Sequence, residues 1–142
     1  MSSSIYVVQC VGQKLDRPAR ARDLYCSDWF RKARTYVEST GAPWFILSAK
    51  HLLLCPDDVV EPYNLSLKML FPHERERWDH QIVWLVGRMM KRLGASKVVA
   101  LAGEDYRAPL LQHFPVEVPM AGLGIGQQKA WLAANTPAAV AV

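Results

Sequence analysis

Side chains able to do chemistry recur where the apolar runs of this 142-residue sequence end. Residues 44–67, WFILSAKHLLLCPDDVVEPYNLSL, begin as an apolar run, place Ser48, Lys50 and His51 together, and continue into an acidic, Pro-bounded loop with Glu61, Tyr63 and Asn64. Cys10 ends the run IYVVQC and Lys14 follows it, and Tyr25 precedes a helical segment, its hydroxyl free to face a site. Gly103, Glu104, Asp105 and Tyr106 follow KVVALA, and Gly122, Gly124 and Gln127 lie in AGLGIGQQ. A lysine on a flexible stem reaches a phosphate or a carboxylate, and glycines ahead of a helix let backbone N–H groups turn toward an anion.

These residue types suit an enzyme that cleaves or exchanges an N-glycosidic bond in a nucleotide, nucleoside or nucleic acid. That chemistry needs a carboxylate beside an oxocarbenium-like centre, a donor for the departing base and an aromatic ring to hold it. Glu61 or Glu104 is the expected carboxylate, Lys50 or His51 the donor, and Tyr63 or Tyr106 the ring contact. Lys14 and the 122–128 loop are expected to hold phosphate, while Cys10, Tyr25, Ser48, Asn64 and Gly103 complete the binding surface. A purely structural reading stands beside this one: Ser48, Lys50, Glu61 and Tyr63 would form a polar network that fixes the loop, since buried polar groups must be paired in any case. The competing functional reading is a non-catalytic DNA-binding protein using Arg17, Arg20, Arg22, Arg31, Lys32 and Arg34 against phosphates.

Composition sets bounds on both. Seventeen basic against thirteen acidic residues give a formal charge of +4, a mild excess compatible with a phosphate-bearing partner. His51, His73, His80 and His113 show neither H-x-x-x-H nor H-E-x-x-H spacing, so no metal and no other cofactor is expected. Ser48 lacks a G-x-S-x-G setting, and Cys10 reads first as a small buried residue. Cys10, Cys26 and Cys55 lack C-x-x-C spacing, which fits a reducing, cytoplasmic setting without disulfides. No basic leader precedes a long apolar segment, and no stretch approaches the roughly 20 apolar residues that span a bilayer, so no membrane partner is expected. Oligomeric state is left open.

The elements that must position these groups follow from periodicity. Strands are expected at residues 5–10, from Trp44, at 97–102 and, ending at Pro119, at 116–120. A helix over 24–38 carries Tyr25, Trp29, Phe30, Ala33, Tyr36 and Val37 on one stripe, with Ser27 as N-cap. The longest helix runs from Pro72 to Leu93, with Pro72 in its first turn, Gly94 at its end, and Trp78, Ile82, Leu85, Val86, Met89 and Leu93 facing the sheet. Asp105 is expected to cap a short helix with Leu110 and Leu111, another short helix follows Gly126, and the tail NTPAAVAV should be frayed or lightly packed. This alternation gives an α/β fold: a single three-layer domain over residues 1–142 with a mostly parallel sheet of about four or five strands. Ligands of such sheets bind beyond the carboxyl ends of the strands.

Three segments carry a resemblance. CVGQKLD, LYCSDWF and ILSAKHLLLCPDDVVEPYNLSL resemble an uncharacterised bacterial and phage domain family with C-x-x-x-K, an ARDLY-type segment, an LSAKHGLL-type motif, an EPY turn and a terminal GLGIGQQ motif. More distantly, the order is similar to YaaA-like peroxide-stress-resistance proteins. That similarity implies a DNA-associated role in limiting oxidative damage and an architecture like that of uracil-DNA-glycosylase folds. Leu52 stands where the pattern usually has Gly, and the 122–128 motif has no counterpart in the peroxide-stress proteins.

Overall fold

The strand that the chain lays down first becomes the centre of its sheet. In the computed structural model, which describes residues 3–10 and 12–137, β1 (Ser4–Gln9) pairs in parallel with β3 (Trp44–Ser48) on one side and β6 (Lys97–Leu101) on the other. β4 (Leu52–Leu54) adds antiparallel to β3, and β7 (Val116–Glu117) adds parallel to β6, giving the order β4-β3-β1-β6-β7. Ile5, Val7, Val8, Ile46, Leu47 and Val98 are fully enclosed, as expected for parallel strands covered on both faces. A two-stranded ribbon of β2 (Ala19–Arg20) and β5 (Val59–Val60) lies outside this sheet.

The helices divide between the two faces. The step from β1 to β3 runs toward one edge and the step from β3 to β6 runs back past β1 toward the other. Right-handed crossovers then place α2 (Asp28–Ser39) and α3 (Pro72–Leu93) on opposite sides. α4 (Glu104–Leu111) packs with α3, whereas α5 (Ile125–Asn135) packs with α2. The five-stranded sheet with helices on both faces is the architecture that the sequence pattern led us to expect. No helix among the described residues is long and apolar enough to cross a membrane.

Boundaries differ where local chemistry overrides periodicity. The 24–38 segment divides into a single turn, α1 (Ala21–Leu24), and α2, because Tyr25 is extended and bridges Lys14 while the Ser27 hydroxyl accepts the Phe30 N–H at 3.2 Å. Asp105 lies in the first turn of α4 and does not cap it; Gly103 is the N-cap, because the helix starts at the strand exit. In α3 the buried positions step by four from Trp78 through Ile82 and Val86 to Met90, a stripe that Leu93 falls outside, leaving it 43% exposed. Only Val116 and Glu117 of the 116–120 segment pair, and Pro119, which has no N–H to donate, follows them.

The β3–β4 hairpin was not legible from periodicity. Its turn puts Leu52 at φ 66°, a left-handed conformation that costs a residue with a Cβ about 1–2 kcal/mol. The tail expectation falls mostly on residues 138–142, outside the described ones.

α3 is held to the sheet by its buried stripe, so Ile82→Ala, which empties a fully enclosed position, is expected to cost about 2–5 kcal/mol of unfolding free energy by urea titration. A loss under 1 kcal/mol would mean that α3 packs differently.

Candidate functional site

β1 and β6 are neighbours whose following helices leave toward opposite faces, so a crevice opens beyond their carboxyl ends. Gln9, the last residue of β1, spans it: its side-chain oxygen accepts the Gly103 N–H at 2.7 Å. A Cβ on Gly103 would stand 3.2 Å from that oxygen, which explains a glycine at the β6 exit.

Two cavities flank this bond. The larger, about 560 Å³, is lined by Cys10, Lys68, Glu104, Asp105 and Tyr106 among others. The smaller, about 220 Å³, is lined by Trp29, Arg107, Met120, Ile125 and Gln128. Gln128 is fixed at both ends of its amide, accepting from Trp29 Nε1 at 2.8 Å and donating to the Leu123 carbonyl at 2.8 Å. Arg107 donates to the Ala102 carbonyl at 2.9 Å.

A chain of hydroxyls starts at the end of β3. Ser48, the last residue of β3 and fully buried, places Oγ 2.7 Å from Tyr63 Oη, which lies 2.5 Å from Tyr25 Oη. The serine oxygen also accepts the His51 N–H at 3.0 Å, and the Ser48 carbonyl accepts from Trp78 Nε1 at 3.0 Å. Cations gather on the same ring: Lys14 Nζ is 4.6 Å from the centroid of Tyr63 and Lys50 Nζ 5.8 Å, while His51 meets it edge-on at 5.2 Å. Tyr106 Oη accepts the Leu67 N–H at 3.3 Å and lies 3.9 Å from Cys10 Sγ.

Burial decides the protonation of these groups. Desolvation pushes the Tyr25 phenol from its ordinary 10.0 up to about 12, partly opposed by its hydrogen bonds to Tyr63 and Ser48. Burial likewise raises Tyr63 and Tyr106, with the Cys10 thiol adding to both. All three therefore stay protonated at neutral pH, as donors and not as bases. His51 is shifted down by burial and then by the Lys50 charge, so its imidazole is neutral near pH 7.

Of the residues singled out from sequence, Cys10, Lys14, Tyr25, Ser48, Lys50, His51, Tyr63 and Tyr106 come together, and Gly103 and Glu104 join through the larger cavity. Others do not. Glu61 and Asn64 are exposed and make no hydrogen bond or ion pair among the described residues. Gly122, at φ +81°, serves a turn, and the Gly124 N–H is already bonded to Gln127 Oε1 at 3.0 Å, so these residues start α5. Gln128, expected with its loop to hold phosphate, is instead bonded to Trp29 and Leu123, and sequence reasoning missed Gln9, Lys68 and Arg107. Only Gln9 left a signal, as the one polar residue inside an otherwise apolar run.

The basic residues of the DNA-binding reading are largely engaged. Arg22 pairs with Glu38 at 2.7 Å and Asp57 at 2.9 Å, and Arg34 with Asp23 at 2.7 Å and Glu38 at 3.2 Å. Lys32 pairs with Asp28 at 2.8 Å, and Arg20 approaches Asp57 at 3.8 Å. These pairs tie α1, α2 and the loop before β5 together.

Among known proteins, the model of a Family of unknown function (DUF6884) matches residues 5–134. No curated protein and no solved structure matches the chain.

The hydroxyl chain generates two expectations. Tyr63→Phe leaves Ser48 and the buried Tyr25 hydroxyl short of a partner and should cost about 1–3 kcal/mol in chemical denaturation, with Ser48→Ala/Tyr63→Phe costing less than the sum of the single changes. Because the Tyr25 pKa is raised on folding from 10.0 to about 12, the folded state holds more protons between those values. Stability should therefore be full below pH 10 and fall as pH rises toward 12, a slope that Tyr25→Phe should flatten. Denaturant midpoints measured across that range check the sign.

Proposed function

The chain belongs to the DUF6884 family of unknown function, so its role must be argued from the site, and we propose that it binds a nucleotide, nucleoside or nucleobase in the β1/β6 crevice and cleaves or exchanges the N-glycosidic bond. One observation carries this reading: Glu104, exposed at the β6 exit and without an ion-pair partner among the described residues, lines a cavity of about 560 Å³ together with Tyr106, Lys68 and Cys10. Its neighbour Asp105 is instead engaged by Arg75, through its backbone carbonyl and a 4.0 Å ion pair. A free carboxylate facing a cavity with an aromatic and an ammonium group is the donor set that the reaction needs.

In this reading the C–N bond breaks with its electron pair going to the base. Positive charge develops at the sugar carbon, where Glu104 stabilises it and deprotonates the attacking water or acceptor hydroxyl. Lys68 donates a proton to the departing base, a role that passes to it because Lys50 and His51 gather at Tyr63 and do not line this cavity. The Tyr106 phenol, protonated at working pH, supplies the ring edge and a hydroxyl. The DNA-binding alternative has less support, since five of its six basic residues stand within 4.0 Å of carboxylates and the positive field is interrupted.

Chromatographic detection of free base from a panel of nucleosides, nucleoside 5′-monophosphates and short DNA tests the proposal. Release should fall about 100-fold or more in Glu104→Gln with the melting temperature unchanged. Binding of a panel member with no base released from any of them would overturn it.

A further inference from the structure

Two ammonium groups converge on one aromatic ring. Lys14 Nζ lies 4.6 Å and Lys50 Nζ 5.8 Å from the Tyr63 centroid, and neither lysine forms an ion pair or hydrogen bond among the described residues. This contrasts with α1 and α2, where Arg22, Lys32 and Arg34 are all matched by carboxylates. Attraction to the ring face holds an ammonium in place without using its N–H donors. Two like charges on one ring repel each other, and a bound anion would relieve that repulsion.

The surroundings are fixed in a way that suits an anion. Tyr63 is locked by Ser48 and Tyr25, and the Lys14 backbone bridges Tyr25, so one lysine stem is anchored to the hydroxyl chain. His51, whose backbone is tied to Ser48 Oγ, sets its ring against the same tyrosine and adds a neutral N–H donor. Cys10 and Gly12 line the larger cavity, and Lys14 follows them in the chain. The Cys10 thiol is close enough to Tyr25 and Tyr63 to act electrostatically on both.

We propose that Lys14 and Lys50, seated on Tyr63 with His51 beside them, form a phosphate-binding subsite, so that the substrate of the crevice is a nucleoside monophosphate and not a free nucleoside or base. The inference rests on the crevice reading for the position of base and sugar, but the subsite stands on its own geometry. A phosphate monoester is close to a dianion at neutral pH and matches two ammonium groups better than one. The 122–128 loop is not needed for phosphate, because the Gly124 N–H is already occupied by Gln127.

Isothermal titration with inorganic phosphate, and with matched pairs of nucleosides and their 5′-monophosphates, tests this in the wild type, Lys14→Met, Lys50→Met and Arg107→Met. Wild-type protein should bind inorganic phosphate and should prefer each monophosphate to its nucleoside. Each lysine variant should weaken phosphate binding by about tenfold or more, the value of one charge-assisted contact, while melting close to the wild type. Lys50→Arg should retain most of the affinity, which separates a charge requirement from a packing one. Equal binding of nucleosides and monophosphates would overturn the proposal, as would loss of phosphate binding in Arg107→Met but in neither lysine variant, which would move the anion to the smaller cavity. Base release from nucleosides at the rate of their monophosphates would overturn this inference while leaving the glycosidic reading intact. Lysine-dependent phosphate binding without base release would do the reverse.

Discussion

A serine hydroxyl buried completely at the end of β3 has to be paired, and that requirement shapes this end of the sheet. Ser48 Oγ meets Tyr63 Oη, and Tyr63 Oη meets Tyr25 Oη, so three segments distant in sequence are pinned at one point. The loop after β5 is tied to the end of β3 because Tyr63 belongs to that chain. The segment before α2 stays extended because Tyr25 does. Trp78 extends the same junction into α3 by donating to the Ser48 carbonyl.

That anchoring leaves the groups above it poised and not self-satisfied. The phenols are held protonated by burial, the His51 imidazole is held neutral, and the two lysines rest on a ring that takes none of their N–H donors. A network built solely to close a loop would be expected to match its charges, as the arginines around α1 and α2 do. The difference between these two regions, on one small protein, is what directs attention to the tyrosine cluster and the adjoining crevice. The hydroxyl chain is a scaffold, and the cations rest on its ring.

Gln9 plays the equivalent part at the other side of the crevice. Its amide closes the gap where β1 and β6 part, and the Gly103 N–H it holds is also the start of α4, so the orientation of Glu104 is coupled to the end of the central strand. Two cavities on either side of one hydrogen bond then acquire different linings, one with free carboxylate and ammonium groups, the other with amides already satisfied within the protein.

Much of the fold was legible in the sequence because it rests on local periodicity. The apolar runs at β1, β3 and β6 and the bounds of α3, with Pro72 in its first turn and Gly94 at φ 69° in its C-cap, require only nearest-neighbour physics. Several site residues were legible for the same reason, since a polar group at the end of a buried strand has few places to go. Tertiary structure decided the rest. The β3–β4 hairpin depends on a left-handed Leu52 that no propensity favours, and the β2–β5 ribbon depends on two-residue pairings too short to leave a period. Glu61 and Glu104 are equivalent as residue types, yet it is Glu104 that lines the larger cavity beside Gln9, because a carboxylate's value depends on which strand exit it shares. Sequence determined which residues stood at the strand ends. The strand order, with β1 between β3 and β6, determined which of those ends meet, and that order is set by crossover handedness and packing of α2 and α3 on opposite faces, which no local pattern encodes.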